Sequence, residues 1–353
     1  MIKAKLASLL SATRTILLDI RRSKKFYFVI AAMAVMAVLP LVVGSEYIVS
    51  EVLTLMLVFA IYASSWNLLA YSGQGSLGHA AFLGIGGFAS ALFTIRSGLP
   101  PLLGLFVGGL FSMVIGLLIG LACVRLKAWF LAMVTFGFSV IAVTLISQFD
   151  SFIGGITGFP SPTLAPRGLP FFYVSYVLAA VSILAIVLIM KSKIGLALKA
   201  IRENEAEAKM IGINTAKYRL LAFVLSTFFA GLAGGLYAMS IRYIQVSIFG
   251  PYYSFLPLMM CVIGGLGTIE GPIIGSAIIV SIESYLPRID PFLQSLMGSL
   301  FPAVSNVGPP IRLLGLGLFL VLMVIFAPKG VASLLPKVYN YFTSDSKKKE
   351  AKT

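Results

Sequence analysis

Three glycines in the segment YSGQGSLGHAAF, Gly73, Gly75 and Gly78, have the GxGxxG spacing of a dinucleotide-binding turn. That turn works between a β-strand and a helix, with an acidic residue about twenty positions later that binds the ribose. Here a long apolar run precedes the glycines, and no acidic residue follows at that distance. The pattern therefore indicates a broken helix, because irregular backbone at a membrane edge is tolerated only inside protein or beside a watered cavity.

Few ionisable side chains interrupt the apolar part of the chain. Glu283 lies near the end of an apolar run, Glu270 lies at a turn, and the single histidine, His79, begins another run. Ionisable groups inside spans mark ion coupling, but we expect these three to snorkel or to cap helices. No nucleophile, base and orienting acid converge, nor do metal ligands, which disfavours an enzyme. The two cysteines, Cys123 and Cys261, lie in apolar surroundings and indicate buried thiols.

The most informative polar segment covers residues 191–219, KSKIGLALKAIRENEAEAKMIGINTAKYR, and is too charged to cross a membrane. Its pattern predicts two short helices, one capped by Ser192 and one that begins at Asn204 and reaches Met210 or Ile211. Gly212 would then adopt the left-handed conformation that ends a helix.

The same segment carries apolar residues that would form one sticky face: Ile194, Leu198, Ile201, Met210 and Ile211. Such a face can lie on lipid headgroups or dock into a groove of a soluble partner, and the residues alone favour neither.

These motifs have to be positioned by membrane helices. The chain is 59% hydrophobic and 11% charged, whereas soluble domains are about 45–50% apolar and about 25% charged. Ten apolar runs approach the ~20 residues that a spanning helix needs: 26–43, 49–70, 78–96, 101–122, 126–147, 171–190, 219–241, 251–268, 271–287 and 312–327. We therefore predict an all-α membrane protein, a polytopic bundle of about ten transmembrane helices with broken Gly-rich segments.

The distribution of basic residues predicts the orientation of this bundle. Of the 27 Lys and Arg, all but Arg96, Arg167, Arg242, Arg288 and Arg312 lie before residue 26, at 125–127, within 191–219 or after residue 327. Cytoplasmic loops carry such an excess, so both termini are expected in the cytoplasm, and the net charge of +15 needs no nucleic acid. We expect a basic tail 1–25, a transmembrane domain 26–327 with a cytoplasmic loop 191–219, and a Lys-rich tail 328–353. The first apolar run exceeds a signal-peptide core and is interpreted as a retained anchor.

Glycines four residues apart indicate close helix packing within one bundle rather than a dimer seam. The pairs are Gly104 and Gly108, Gly116 and Gly120, Gly231 and Gly235, Gly267 and Gly271, and Gly271 and Gly275. A second Gly-rich break, GGLGTIEGPIIG at 264–275, lies in the other half of the chain, and paired breaks point toward a translocation path. We expect six residues to line that path: Gln74, Ser76, His79, Gly264, Gly265 and Gly267.

Several motifs occur in the order found in permease subunits of branched-chain amino acid ABC transporters, and the chain resembles that family from about residue 50 to 330. The motifs are YSGQGSLGHAAFLGIGGF at 71–88, LAMVTFGF at 131–138, GGITGFP at 154–160, GLALKAIRENEAEAKMIGIN at 195–214, LLAFVLSTFFAGLAGGLYA at 220–238 and VIGGLGTIEGPIIGSA at 262–277. One departure concerns the importer loop pattern Glu-Ala-Ala with Gly four positions on. Here it reads Ala206, Glu207, Ala208 and Gly212, so the role of the displaced acid stays open.

The resemblance implies a subunit of an inner-membrane importer with an inverted repeat. Its partners would be a second homologous permease, two cytoplasmic ATP-binding subunits and a periplasmic or extracellular solute-binding protein. The chain itself would bind no cofactor, since it lacks the phosphate-binding GxxxxGK[ST] loop, and ATP would be used by the partners. The residues implied for ATPase coupling are Gly195, Leu196, Leu198, Ala200, Ile201, Arg202, Glu203, Asn204, Glu205, Ala206, Glu207, Ala208, Gly212, Ile213 and Asn214.

The resemblance implies leucine, isoleucine and valine as solutes, while urea, short amides and other small organic acids suit the same architecture. A reading of another class is a secondary transporter or channel that works without ATP. Such a protein needs no docking loop, and a coupled carrier usually shows buried acids, which are scarce here.

Overall fold

The computed structural model describes residues 24–98, 100–123, 126, 128–149, 154, 157–289, 314–315, 317–319, 321–322, 325–326 and 330–333. Most of these residues are helical, which confirms the predicted all-α membrane class. The predicted tails 1–25 and 328–353 and the tenth run at 312–327 lie largely outside the described residues.

Six helical stretches among the described residues are long and apolar enough to cross a membrane. They are α2 (Thr54–Ala70) with the π-helical turn Ile48–Leu53 before it, α3 (His79–Ser97), α4 (Pro101–Cys123), α5 (Ala128–Gln148), α6 (Leu169–Lys191) and α9 (Thr215–Ile241). Helix α1 (Lys24–Val43) precedes them, and two short helices, α7 (Lys193–Glu203) and α8 (Glu205–Met210), separate α6 from α9. Each long helix coincides closely with a predicted run.

The two ends of the bundle differ in character. The short helices α7 and α8 lie where α6 ends and α9 begins, and we call this the polar end. At the opposite end, strand β1 (Phe159–Pro160) pairs antiparallel with strand β2 (Tyr243–Ile244), which places the chain before α6 beside the chain after α9. The polar segment and the strand pair therefore mark opposite ends of the bundle.

After α9 the chain turns back into the bundle instead of starting a new full-length span. Arg242 ends α9 in the left-handed conformation (φ 63°), and a 3₁₀ turn, Val246–Phe249, carries the chain inward. Phe249 lies beside the middle of α5, where the Ser139 hydroxyl donates to its carbonyl oxygen over 2.7 Å. Helix α10 (Pro251–Gly264) starts there, with proline in its first turn, a position that needs no N–H donor.

The predicted span at 251–268 is therefore wrong in its extent. Helix α10 has 14 residues and reaches only about 21 Å at 1.5 Å per residue, less than the ~30 Å hydrocarbon core. Irregular backbone at 242–250 makes up the rest of that crossing. Helix α11 (Gly271–Tyr285) then packs back along α10 and continues as a 3₁₀ turn, Leu286–Ile289.

The centre of the bundle is held by glycine contacts among α3, α4 and α9. A Cβ on Gly86 would meet the backbone of Gly231, and one on Gly234 would meet the carbonyl of Leu83, so these helix backbones touch. The Ser112 hydroxyl of α4 lies 3.1 Å from the carbonyl oxygen of Phe82 and 2.9 Å from that of Thr227, one on each neighbouring helix. Gly231 belongs to a predicted pair, and a Cβ on Gly108 of another pair would meet the Gly86 carbonyl oxygen, so members of the predicted pairs pack within the bundle as expected.

The outward faces of α4, α5 and α6 are apolar. Trp129 keeps 80% of its surface exposed, and Leu118 and Val181 keep 60% each. Exposed side chains of this kind suit lipid tails or the apolar face of another subunit, where no hydration cost arises.

Candidate functional site: the polar segment and two helix breaks

The polar segment folds as its sequence predicts, beginning with α7. The Ser192 hydroxyl accepts from the backbone N–H of Ile194 over 3.1 Å and so caps the helix. Helix α7 ends at Glu203, where Asn204 leaves the helical conformation (φ −154°, ψ 110°).

Helix α8 is short but is capped at both ends. The Asn204 side chain accepts from the N–H groups of Ala206 (3.0 Å) and Glu207 (3.4 Å) and donates to the Glu207 carboxylate over 2.6 Å. This resembles a capping box, and it gives the displaced glutamate of the importer pattern a local structural role. Gly212, at φ 86°, supplies the left-handed residue that ends α8, as predicted.

Glu205 ties α8 to the start of α9. Its carboxylate is 2.9 Å from the Lys209 ammonium and 3.0 Å from the Arg219 guanidinium, and it accepts from the Thr215 hydroxyl over 3.2 Å. The hydrogen bond from Lys209 is the main reason that the pKa of Glu205 is lowered, with help from the charges of Arg219 and Lys209. The segment is thus a fixed element and not a loose loop.

The predicted single sticky face does not exist as one surface. Leu198 (0% exposed) and Ile201 (3%) are packed into the bundle, because α7 lies against α6 and α9. Leu196 (67% exposed), Met210 (87%) and Ile211 (74%) point outward. Two apolar residues anchor the segment and three are exposed on it, and we call these three exposed residues, Leu196, Met210 and Ile211, the docking patch.

The first break, residues 71–78, enters the bundle from the polar end. Its backbone carbonyl at Ser76 accepts from the Trp66 indole N–H over 2.8 Å, so the irregular backbone is satisfied by α2. A Cβ on Gly78 would meet the backbone of Thr135 in α5, which leaves room for glycine alone. The sequence prediction of a broken helix enclosed by protein is confirmed here.

His79 neither snorkels nor caps, so that expectation is wrong. Its ring is fully buried and stacks on Tyr62, with 5.4 Å between the ring centroids. Its Nε2 atom forms a hydrogen bond with the Ser65 hydroxyl over 3.0 Å. The break lets α3 start inside the bundle, which removes His79 from the surface.

The second break, residues 265–270, is held by Asn67 of α2. The Asn67 amide donates to the carbonyl oxygen of Thr268 over 2.6 Å and accepts from the N–H of Gly267 over 2.8 Å. Both bonds satisfy backbone groups that have left a helix. Glu270 occupies the position before α11, but its carboxylate makes no capping bond, so the capping expectation is wrong for it too.

Arg202 of α7 touches both breaks. A Cβ on Gly73 would lie 3.4 Å from the Arg202 Cα, and one on Gly267 would lie 3.3 Å from its Cζ and closer still to Nη1. Gly73 (φ 75°) and Gly267 (φ 74°) both have the left-handed conformation that favours glycine. One residue of the polar segment therefore packs on the turns of two separate broken helices.

The predicted path residues fall into two groups. Gln74, Ser76 and His79 are buried beside α2, whereas Gly264 ends α10 and Gly265 and Gly267 lie in the second break. Asn67 stands next to the second group and Trp66 next to the first, so the structure brings the two groups to one end of α2. Their role in a path stays a prediction.

Sequence reasoning missed Asn67 as the residue that holds the second break. It also missed a set of tyrosines around Glu283, which accepts a hydrogen bond from the Tyr252 hydroxyl. The available signals were a lone asparagine in an apolar run and the adjacent Tyr252 and Tyr253 after a Gly-Pro pair.

Comparison with known proteins gives a consistent set of relatives. A family described as branched-chain amino acid transport system / permease component matches residues 48–327. The high-affinity branched-chain amino acid transport system permease protein LivM of Salmonella typhimurium is 25% identical, over 84% of this chain and 73% of its own length. LivM of Escherichia coli is 24% identical, over 87% of this chain and 75% of its own length.

A more distant relative is named for another solute. The xylose transport system permease protein XylH of Haemophilus influenzae is 31% identical, over 35% of this chain and 34% of its own length. No solved structure matches the chain. Because the family match covers most of the chain and the ten described α-helices from α2 to α11, the chain belongs to the branched-chain amino acid transport permease family.

Proposed function

We propose that this chain is one of two homologous permease subunits of an ATP-driven importer that moves leucine, isoleucine and valine across the inner membrane. Two cytoplasmic partner subunits would hydrolyse ATP, and the chain itself would bind no nucleotide or other cofactor. A periplasmic or extracellular binding protein would deliver the solute. The family membership and the names of the LivM relatives support this role.

One observation carries the mechanism: the polar segment links an exposed docking patch to both helix breaks. An ATPase bound to Leu196, Met210 and Ile211 would pull on the polar segment as it closes. Because Leu198 and Ile201 of α7 are packed into the bundle, that force would be transmitted to the bundle. Arg202 would pass the movement to the turns at 73 and 267. In this way closure of the ATPase pair would switch the pathway from outward to inward opening.

The orientation follows from charge. The excess of Lys and Arg at the polar end favours a cytoplasmic location for that end and for both termini. The loops 148–170 and 288–311 would then face the binding protein.

The solute assignment rests on the named relatives. Few charged groups lie inside the bundle, which suits zwitterions with aliphatic side chains and suits urea, short amides or other small organic acids as well. The alternative of another class is an ATP-independent secondary transporter or channel. A docking patch on a capped, anchored segment favours the importer over that class.

The test is purification of the chain from native membrane, followed by reconstitution with its binding protein and measurement of ATP-dependent uptake of labelled leucine. We expect two ATPases and a second permease to accompany the chain. Uptake of urea or amides in place of leucine would change the solute but keep the importer. A chain that purifies alone and transports without ATP would overturn the proposal.

Variants of the polar segment test its coupling role. Gly212→Pro, or exchange of the charges at Arg202 and Glu203, should lower uptake and ATPase activity while the chain stays inserted. Glu46→Lys, an exposed charge reversal at the opposite end, is the matched control. Unchanged uptake and ATPase activity in the polar-segment variants would contradict the assignment.

A further inference from the structure

Three tyrosines and one glutamate from three helices meet inside the bundle. The Tyr252 hydroxyl donates to the Glu283 carboxylate, and the hydroxyls of Tyr237 and Tyr253 lie 2.6 Å apart. The Tyr252 and Tyr253 rings pack edge to face with centroids 5.1 Å apart, and the Tyr237 and Tyr253 rings do so at 5.7 Å. We call Tyr237, Tyr252, Tyr253 and Glu283 the tyrosine–carboxylate cluster.

The cluster lies at mid-depth. Glu283 is twelve residues beyond the start of α11 at Gly271, which places it about 18 Å along that helix from the polar end. Tyr252 is twelve residues from the end of α10 at Gly264, so it lies about 18 Å from the same end. With a hydrocarbon core of ~30 Å, both residues are near the bilayer midplane.

Glu283 differs from the other acids of the described residues. Those acids lie toward an end of the bundle or on the polar segment: Glu46, Glu51, Glu203, Glu205, Glu207 and Glu270. Within the described part of the chain no Lys or Arg forms an ion pair with Glu283. A carboxylate in the body of a membrane helix costs free energy, and such groups usually serve a ligand or an ion.

We propose that the tyrosine–carboxylate cluster binds the ammonium group of the transported amino acid during its passage. The carboxylate of Glu283 supplies the opposite charge, and the faces of the tyrosine rings attract a cation through their quadrupoles. All four residues are half-buried and none is fully enclosed, which leaves surface on each for a solute to contact.

The first turn of α10 fits the other end of a zwitterion. Its first residue, Pro251, has no N–H and the Ser254 N–H donates to the Gly250 carbonyl oxygen, so the N–H groups of Tyr252 and Tyr253, its second and third residues, carry the partial positive charge of the helix end. Discontinuous helices at the midplane commonly present such ends to the carboxylate of a solute. The cluster and the helix end together match both charges of an amino acid, which neither urea nor an amide carries.

This inference rests on the proposed importer function, and it competes with a purely structural role in which Tyr252 and Glu283 fasten α10 to α11. Two variants separate these roles. Glu283→Gln removes the charge but keeps an oxygen that accepts from Tyr252, whereas Tyr252→Phe removes that hydrogen bond but keeps the charge. Glu46→Gln is the control for loss of one acid, because Glu46 lies away from the cluster, at the end of the bundle opposite the polar end.

The measurement is leucine transported per ATP hydrolysed in proteoliposomes that contain the complete importer with its binding protein. Glu283→Gln should lower this ratio roughly tenfold or more, as expected for loss of a charge-assisted contact, and Tyr252→Phe should lower it less. The reverse order, with Tyr252→Phe impaired and Glu283→Gln equal to wild type, overturns the proposal in favour of the structural role. A wild-type complex that takes up no amino acid with ATP contradicts the importer function instead.

A second measurement does not depend on the assembly of Glu283→Gln. In the complete importer with Tyr253→Cys, a cationic methanethiosulfonate should label the new thiol faster than an anionic one. Within this chain the native thiols of Cys123 and Cys261 are buried, and the complete importer without the Tyr253→Cys change gives the background to subtract. Leucine should slow the cationic labelling when the pathway is cycling. Equal labelling rates for the two reagents would refute a cation-binding cluster.

Discussion

Gly267→Ala should uncouple ATP hydrolysis from transport while lowering the free energy of unfolding no more than Gly98→Ala does. Gly267 has φ 74°, and Gly98, the residue after α3 at the opposite end, has φ 65°. A side chain in the left-handed region costs about 1–2 kcal/mol, so Gly267→Ala and Gly98→Ala should lose similar free energy of unfolding. They differ in surroundings, because a Cβ at Gly267 meets the Arg202 guanidinium and a Cβ at Gly98 meets nothing within 4 Å.

The Arg202 guanidinium is the end of a flexible side chain and can move aside at little cost in stability. Moving it breaks the contact between α7 and the second break. Coupling networks of this kind respond to mutation by about 0.5–2 kcal/mol, so leucine transported per ATP should fall roughly two- to thirtyfold in Gly267→Ala. Gly98→Ala should keep the wild-type ratio. Gly137 is a helical glycine with open space around it, so Gly137→Ala should raise the free energy of unfolding by about 0.5–1 kcal/mol.

Two assays check this prediction. Unfolding in mixed micelles by titration with SDS gives the stability of each variant, and proteoliposomes give leucine transported per ATP. If Gly267→Ala acts through Arg202, it should add no further uncoupling to Arg202→Ala. Equal transport ratios in Gly267→Ala and Gly98→Ala, or additive losses in the double variant, would refute the reasoning.

Three further predictions concern the polar segment and the core. Since the pKa of Glu205 is lowered, its stabilising contribution is present above the ordinary glutamate pKa and is lost as pH falls through the lowered value. In wild type, the backbone amides of α8 should therefore lose protection from hydrogen exchange as pH falls through the lowered pKa. In Glu205→Gln the same loss of protection should be present at every pH. Met210→Asp should weaken ATPase co-purification without unfolding the chain, whereas Leu198→Asp should reduce the folded yield, because Met210 is 87% exposed and Leu198 0%. Gly234→Ala should also reduce the folded yield, since its Cβ meets the Leu83 carbonyl and backbone cannot move aside; a normal yield would show that α3 and α9 can separate.

Local features of this fold were predictable from the sequence. Apolar runs of spanning length located the long helices, and Ser192, Asn204 and Gly212 located the caps of the polar segment, since caps depend on residues within one turn. Glycine spacing predicted close helix packing, because residues four positions apart lie on one face of the same helix.

Contacts between distant residues were not predictable. Asn67 and Gly267 meet across 200 positions, and nothing in the amino-acid sequence pairs them. The start of α10 inside the bundle was missed because Tyr252 and Tyr253 continue an apolar run, and such a run does not show where along the bundle a helix begins. The burial of Leu198 depends on how α7 packs against other helices, so the apolar pattern alone could not separate it from Met210.

The two breaks are linked through α2 as well as through α7. Trp66 donates to the first break and Asn67 holds the second, and adjacent helix residues project about 100° apart. A rotation of the end of α2 would therefore move both breaks at once, while Arg202 contacts both from the polar end. Irregular backbone in a bundle needs partners for every N–H and C=O. Here Trp66, a partner of the first break, and Asn67, a partner of the second, are consecutive residues of α2. This arrangement gives a physical reason for the two breaks to change conformation together if a partner moves the polar segment as proposed.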